Sequence, residues 1–157
     1  MGITPQFGNG AVAKQVAAFR ERLDKAIIFR LSYLGESLAR YAKDHHTYTD
    51  RTGNLTNSIA YAVCRDNEIV TIGGENQPGE GAETAQRVLQ EYAATLNHSY
   101  SLIIVAGMNY AAYVEAKGYN VILPAELKAK SEFPEVMRKL QEAAKRKAGE
   151  QFGFDVV

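Results

Sequence analysis

The stretch Leu102-Ile103-Ile104-Val105-Ala106-Gly107-Met108-Asn109-Tyr110-Ala111-Ala112-Tyr113-Val114-Glu115-Ala116-Lys117-Gly118 decides how the fold is read. Leu102 to Ala106 is an unbroken apolar run that stops at Gly107, the pattern of a strand buried on both faces and therefore central in its sheet. Asn109 is the residue type that caps a helix by offering its side-chain oxygen to a free N–H. Gly118 can take the left-handed conformation that closes one. Between them, four-residue spacing puts Tyr110 on one face with Val114 and Tyr113 on one with Lys117. Strand, corner, two helical turns and a stop follow. By themselves they describe an α+β domain and name no reaction.

Upstream, apolar residues recur in steps of three and four at Val12, Val16, Phe19, Leu23, Ile27, Leu31, Leu34, Leu38 and Tyr41. One long amphipathic helix is expected there, its period closer to 3.6 than to the 3.5 of a coiled coil. At ~1.5 Å per residue it spans roughly 50 Å, more than a compact domain of this size is wide, so either the C-terminal segment or another subunit must cover part of its stripe. Gly35 is the expected point of any bend. Ile59, Tyr61 and Val63 alternate with Ala60, Ala62 and Cys64, a strand with one bulky and one small face. Arg65-Asp66-Asn67-Glu68 reads as a hairpin turn and Ile69 to Ile72 as the returning strand. Residues 73–81 form a loop rich in glycine, and Ala85, Val88, Leu89, Tyr92 and Leu96 mark a second helix. After Gly118, Tyr119 to Ile122 is expected as a short edge strand, and Pro124 as the start of a last helix interrupted at Pro134.

The expected architecture is one α+β domain over residues 1–157: a small, mainly antiparallel sheet of three or four strands against a long N-terminal helix, with further helices in the connections and at the C-terminus. Residues 1–9 and 149–157 are expected as flexible or interface-forming arms, the first carrying Ile3 and Phe7, the second alternating Phe152, Phe154 and Val156 like an unpaired strand. The chain has 157 residues with 18 basic and 18 acidic side chains, so no global field draws it to nucleic acid or to an acidic membrane. Its single cysteine, Cys64, excludes an intrachain disulfide and fits a reducing compartment. The N-terminal stretch MGITPQFGNG has neither the basic nor the apolar region of a secretion signal, which points to synthesis in the cytosol.

Two quoted segments carry a family resemblance. Thr52-Gly53-Asn54-Leu55 followed by Ser58-Ile59, and Asn109-Tyr110-Ala111-Ala112-Tyr113-Val114-Glu115 with Gly118, resemble the TGxLxxSI and YAxYVExG signature of the neck proteins of long-tailed bacteriophages. These are the head-tail joining or tail-completion proteins, often described as minor capsid or minor tail proteins. The order of the two motifs matches, and the resemblance spans roughly Thr52 to Leu140. The segment between them is longer than the family's usual hairpin, and Glu115-Ala116-Lys117-Gly118 stands where a glutamate, aromatic, glycine, threonine run is more usual. The resemblance implies a non-catalytic virion protein, made in a bacterial host, that assembles as a ring and contacts other neck or tail proteins. It also implies a structural role for Thr52, Gly53, Leu55, Ser58, Ile59, Asn109, Tyr110, Ala111, Tyr113, Val114, Glu115 and Gly118.

Each remaining candidate residue also has a plainer role. His45 and His46 are adjacent at a helix end, where side chains diverge by ~100° and do not converge on a metal as residues four apart would. No metal or cofactor is expected. Glu115, among apolar neighbours, is the side chain a small hydrolase would use as a base, but no second carboxylate or nucleophile is recognisable beside it. Glu75, Glu80 and Glu83 would repel a phosphate from the glycine-rich loop, which also lacks the Gly-Lys-Ser/Thr ending, so a mobile surface loop is expected. Lys145-Arg146-Lys147, after Arg138-Lys139, is the stretch a nucleic-acid-binding module would use, although Glu135 and Glu142 partly neutralise it. Tyr100, Tyr110, Tyr113 and Tyr119 read as a core edge or a protein interface.

Overall fold

Small side chains on one face of a strand allow a helix to lie close, and this sets the layers of the protein. The computed structural model describes residues 9–153. In chain order it has helix α1 (Asn9–Asp44), helix α2 (Asn54–Asn57), strands β1 (Ile59–Arg65) and β2 (Glu68–Gly73), helix α3 (Glu80–Ala93), strand β3 (Tyr100–Ala106), helix α4 (Ala111–Ala116) and helix α5 (Leu123–Phe152). The fold is α+β, and its strands form one antiparallel sheet in the order β2-β1-β3. The turn between β1 and β2 is the expected one. Asp66 and Asn67 both have positive φ, 51° and 69°, the two-residue geometry that matches strand twist.

The chain groups into two compact units, one of residues 28–136 and one that joins the start of α1 to the end of α5. In the first, Ala60, Ala62 and Cys64 of β1 and Ile103 and Val105 of β3 pack against Ala85, Leu89 and Ala93 of α3. On the opposite face α1 meets the sheet at Gly35, where a Cβ would lie 2.4 Å from the Tyr61 ring. Gly35 thus serves close approach, and α1 is continuous through it. Leu31, Leu34, Leu38, Ala39 and Ala42 are the buried positions of this part of α1. In the second unit, Phe152 meets Phe19 edge-on with ring centroids 5.6 Å apart, and Arg22 donates to Gln151 Oε1 at 2.6 Å. The C-terminal helix therefore covers the stripe at Phe19, while Val12 and Val16 stay exposed.

Several expectations are corrected. β3 is an edge strand and β1 the central one. Only Ile103 and Val105 of β3 are buried, both on the face toward α3, whereas six of the seven β1 residues are buried. Tyr119 to Ile122 forms no strand, because the N–H groups of Val121 and Ile122 are already bonded to Glu115. α5 continues through Pro134. The missing N–H removes one bond, and pairs four residues apart, Lys130 with Glu126 and Arg138 with Glu142, brace the helix on either side. Residues 149–152 are helical and not strand-like, and Phe154, Val156, Ile3 and Phe7 lie outside the described residues.

Candidate functional site

The two motif segments, some fifty residues apart in sequence, meet in one small core, and Ser58 of the first bonds Gly107 and Met108 directly ahead of the second. The approach is built from Thr52 onward. Thr52 Oγ1 accepts the Asn54 N–H at 3.2 Å, and Gly53 turns the chain at φ 77°, a left-handed conformation that glycine adopts without strain. Asp50 Oδ2 then accepts the Thr56 N–H at 2.7 Å, so two of the free donors at the start of α2, those of Asn54 and Thr56, are satisfied. Leu55 is buried with Tyr48, Ala111 and Val121, a small core that already contains one residue from each motif. Ser58 is fully buried and feeds straight into Ile59, the first residue of β1. Its hydroxyl donates to Leu55 O at 2.7 Å and accepts the Met108 N–H at 3.3 Å, while its carbonyl accepts the Gly107 N–H at 3.0 Å.

Beyond Ser58 the second motif turns from strand to helix. At Gly107 a Cβ would lie 2.7 Å from the backbone of Ala85, so glycine is required there for α3 to pack. Asn109 does not cap α4. Tyr110 occupies that position with no side-chain bond, and Asn109 is exposed. The stabilisation expected from a cap comes instead from Ser58, which holds the corner one residue earlier. Ala111 is buried, and Val114 packs against the same small core. Tyr110 and Tyr113 are exposed, with the Lys117 ammonium 4.8 Å from the centre of the Tyr113 ring. Gly118 closes α4 at φ 88°, its N–H bonded to Glu115 O at 3.0 Å, as the sequence predicts.

Glu115 has a task that its sequence neighbours do not announce. Oε2 accepts the N–H groups of Val121 and Ile122 at 2.5 and 3.1 Å, and Oε1 accepts that of Leu123 at 2.8 Å. A carboxylate is thereby placed at the N-terminus of α5, where free N–H groups and the helix dipole favour negative charge. Both oxygens are engaged with backbone donors. The signal in the sequence is a glutamate a few residues ahead of a proline-marked helix start.

The glycine-rich loop is pinned to the first motif. Asn76 Nδ2 donates to the carbonyls of Asn57 and Ile59, and Asn57 and Gln77 exchange two bonds at 2.6 and 2.7 Å. Arg40 pairs with Glu75 at 2.6 Å, and the Lys43 ammonium donates to Gly74 O. Partial burial lowers the Lys43 pKa, against the opposing pull of Glu36 and Glu75. The expectation of a mobile loop missed these amides, because Asn57, Asn76 and Gln77 give no periodic signal. His45 and His46 each bond a backbone carbonyl, of Tyr41 and Tyr48, and stack on those same tyrosine rings. Among the described residues no three His, Cys, Asp or Glu side chains are grouped as a metal ion would need. Cys64 is buried, which pushes its thiol pKa up and leaves less of the reactive thiolate. No helix among the described residues is long and apolar enough to cross a membrane.

Compared with protein-family models, with curated proteins and with solved structures, the chain matches none. A functional reading therefore rests on the motif residues and their geometry. Their polar groups hold backbone: Thr52, Ser58 and Glu115 between them engage six hydrogen bonds, each with a main-chain N–H or C=O group. What this arrangement does chemically is fix the corner between β3 and α4 and the point where α5 begins.

Proposed function

We propose that the protein is a structural component of a phage or prophage virion, a head-tail connector or tail-completion subunit that works in a ring and carries out no catalysis. The observation that supports this reading is the convergence of the two resemblance-bearing segments on one small core, where Leu55 of the first packs with Ala111 and Val114 of the second. Residues that resemble a neck-protein signature form one structural junction instead of two unrelated turns. The use of Glu115 agrees with it, since a carboxylate bonded to three backbone N–H groups is engaged in bracing and has no nucleophile assigned to it.

The test is genetic and structural. Removing the coding sequence from the phage that carries it should yield filled heads and free tails that fail to join, and supplying the chain in trans should restore joined particles. Electron microscopy of the purified chain at high concentration should show closed rings. Joined, infectious particles made without the protein would overturn the reading. Salt-sensitive DNA binding lost on substitution of Lys145, Arg146 and Lys147, which are exposed on α5, would replace it with that of a nucleic-acid-binding module.

A further inference from the structure

An amphipathic helix must bury its apolar stripe against another element, and two helices alone enclose little between them. The helix pair made by residues 10–27 of α1 and 137–153 of α5 shows this directly, because none of its described side chains is buried. Apolar surface is nevertheless gathered there. Phe19, Leu23 and Ala26 of α1 and Leu140, Ala143 and Ala144 of α5 line an open groove of about 440 Å³. Val12 and Val16, 49% and 36% exposed, continue the stripe along α1 at helical spacing. Arg22 and Lys147 bring positive charge to the groove lining, and Glu150 a negative one.

The chain's balance of 18 basic and 18 acidic residues hides a division between its two units. Residues 1–27 and 137–157 hold nine lysines and arginines against five aspartates and glutamates, while residues 28–136 hold nine against thirteen. Of the acidic residues in the helix pair, Glu21 and Glu142 already pair with Lys25 and Arg138 of their own helices, 3.0 and 2.8 Å away. An apolar groove on a basic helix pair selects its occupant by both properties. Duplex nucleic acid meets the charge but presents phosphate, not apolar surface, to the groove floor. An anionic bilayer offers charge and apolar surface, yet it is a plane, whereas this apolar surface is recessed between two helices with Arg22 and Lys147 beside it. A helix with an apolar face and acidic flanks meets charge, apolarity and shape together.

We propose that this groove receives an amphipathic helix with acidic flanks from another protein, as the third helix of a bundle. The length fits. From Leu140 to Gln151 α5 rises about 17 Å, or about three turns, enough for apolar anchors at i, i+3, i+4 and i+7 of the incoming helix. The chain's own acidic helix, α3, is not the occupant. Glu80, Glu83 and Glu91 lie on it, but its apolar face, Ala85, Leu89 and Ala93, is packed on the sheet. The helix pair of a second copy would bring like charge to like charge. The inference holds whether or not the protein belongs to a virion.

Two synthetic peptides of about four helical turns test it, with the same leucine stripe and with flanks all glutamate in one and all lysine in the other. Each is labelled with fluorescein, and binding to the full chain is read by anisotropy. The glutamate peptide is expected to bind at least about tenfold more tightly than the lysine peptide, and to weaken as salt is raised. Reversing two exposed charges of the groove together, Arg22→Glu with Lys147→Glu, should erase that preference. Ala26→Glu, which puts a charge on the apolar lining at an exposed helix position, should weaken the glutamate peptide by about tenfold or more. Folding of the variants is followed by circular dichroism, and should either fail to fold the other decides. Hydrogen exchange at residues 19–26 and 140–151 should slow with the glutamate peptide bound. No binding of the glutamate peptide, equal binding of the two peptides, or binding unchanged in the folded variants would each overturn the proposal. So would release of the bound peptide by a DNA duplex or by phosphatidylserine vesicles, which would assign the groove to nucleic acid or to an anionic membrane.

Discussion

Replacing Glu115 with alanine removes the acceptor for three backbone N–H groups, those of Val121, Ile122 and Leu123, at 2.5, 3.1 and 2.8 Å. A single hydrogen bond to a charged group contributes about 1.5–3 kcal/mol, and a helix cap about 0.5–2 kcal/mol. Glu115 is half-buried, so water replaces part of what is lost and the three bonds do not add. The expected cost is about 2–3 kcal/mol, which for a chain of this length lowers the melting temperature by roughly 5–10 °C. Glu115→Gln keeps one acceptor oxygen but turns a donor toward the same N–H groups, and about half the loss is expected. The assay is a thermal melt followed by circular dichroism, with hydrogen exchange at Val121 to Leu123 as the local readout. An alanine variant that melts within about 1 °C of the parent, with those amides still protected, would refute the bracing role. A hydrolase base would give the opposite pattern, an activity lost with the fold intact.

Three further outcomes are expected. Ser58→Ala should cost about 1–2 kcal/mol, because the half-buried Met108 N–H loses its acceptor, and a denaturant melt with an unchanged midpoint would contradict the cross-link from Ser58 to the corner after β3. Gly107→Ala and Gly35→Ala should each cost about 1–3 kcal/mol by overpacking, against the Ala85 backbone and the Tyr61 ring respectively, and a neutral result for Gly107→Ala in the same melt would show that α3 can move away. Burial raises the pKa of the Tyr48 and Tyr61 phenols above the usual value near 10, so the stability they contribute is complete below that pH and is lost as pH rises toward their folded-state values. Absorbance titration of phenolate, with Tyr48→Phe and Tyr61→Phe as references, should show both phenols ionising above the ordinary tyrosine range.

How much of this was legible depended on whether a feature is periodic. α1 and α3 are periodic over many residues, and the Asp66-Asn67 turn has a local chemistry of its own, so all three could be read directly. The rank of β3 in the sheet could not. An apolar run reports what a strand can bury and not which of its faces and edges the rest of the chain covers, and Leu102 and Ile104 remain only half-buried. Asn109 is the right residue type for a cap, two positions before α4 begins, while the corner is fixed by Ser58 from fifty residues away. No local pattern contains that partner. The role of Glu115 escaped for a similar reason. Its acceptors' partners lie six to eight residues downstream, across a turn, and only the folded chain brings them under the carboxylate.

The corner at Ser58 and the start of α5 both bear on the surroundings of β3. Glu115 determines where α5 starts, because its carboxylate holds the backbone at Val121, Ile122 and Leu123. The first turns of α5, through Ala125, Ala129 and Phe133, line a cavity beside β3, and Glu115 itself lines a second cavity along the same strand. Ser58 holds the other end of the same strand, by fixing Gly107 and Met108 directly after it. β3 is thus held at its C-terminal end and flanked by a helix whose origin is set by a charge, so two buried or half-buried polar side chains, Ser58 and Glu115, position the strand's surroundings from outside it.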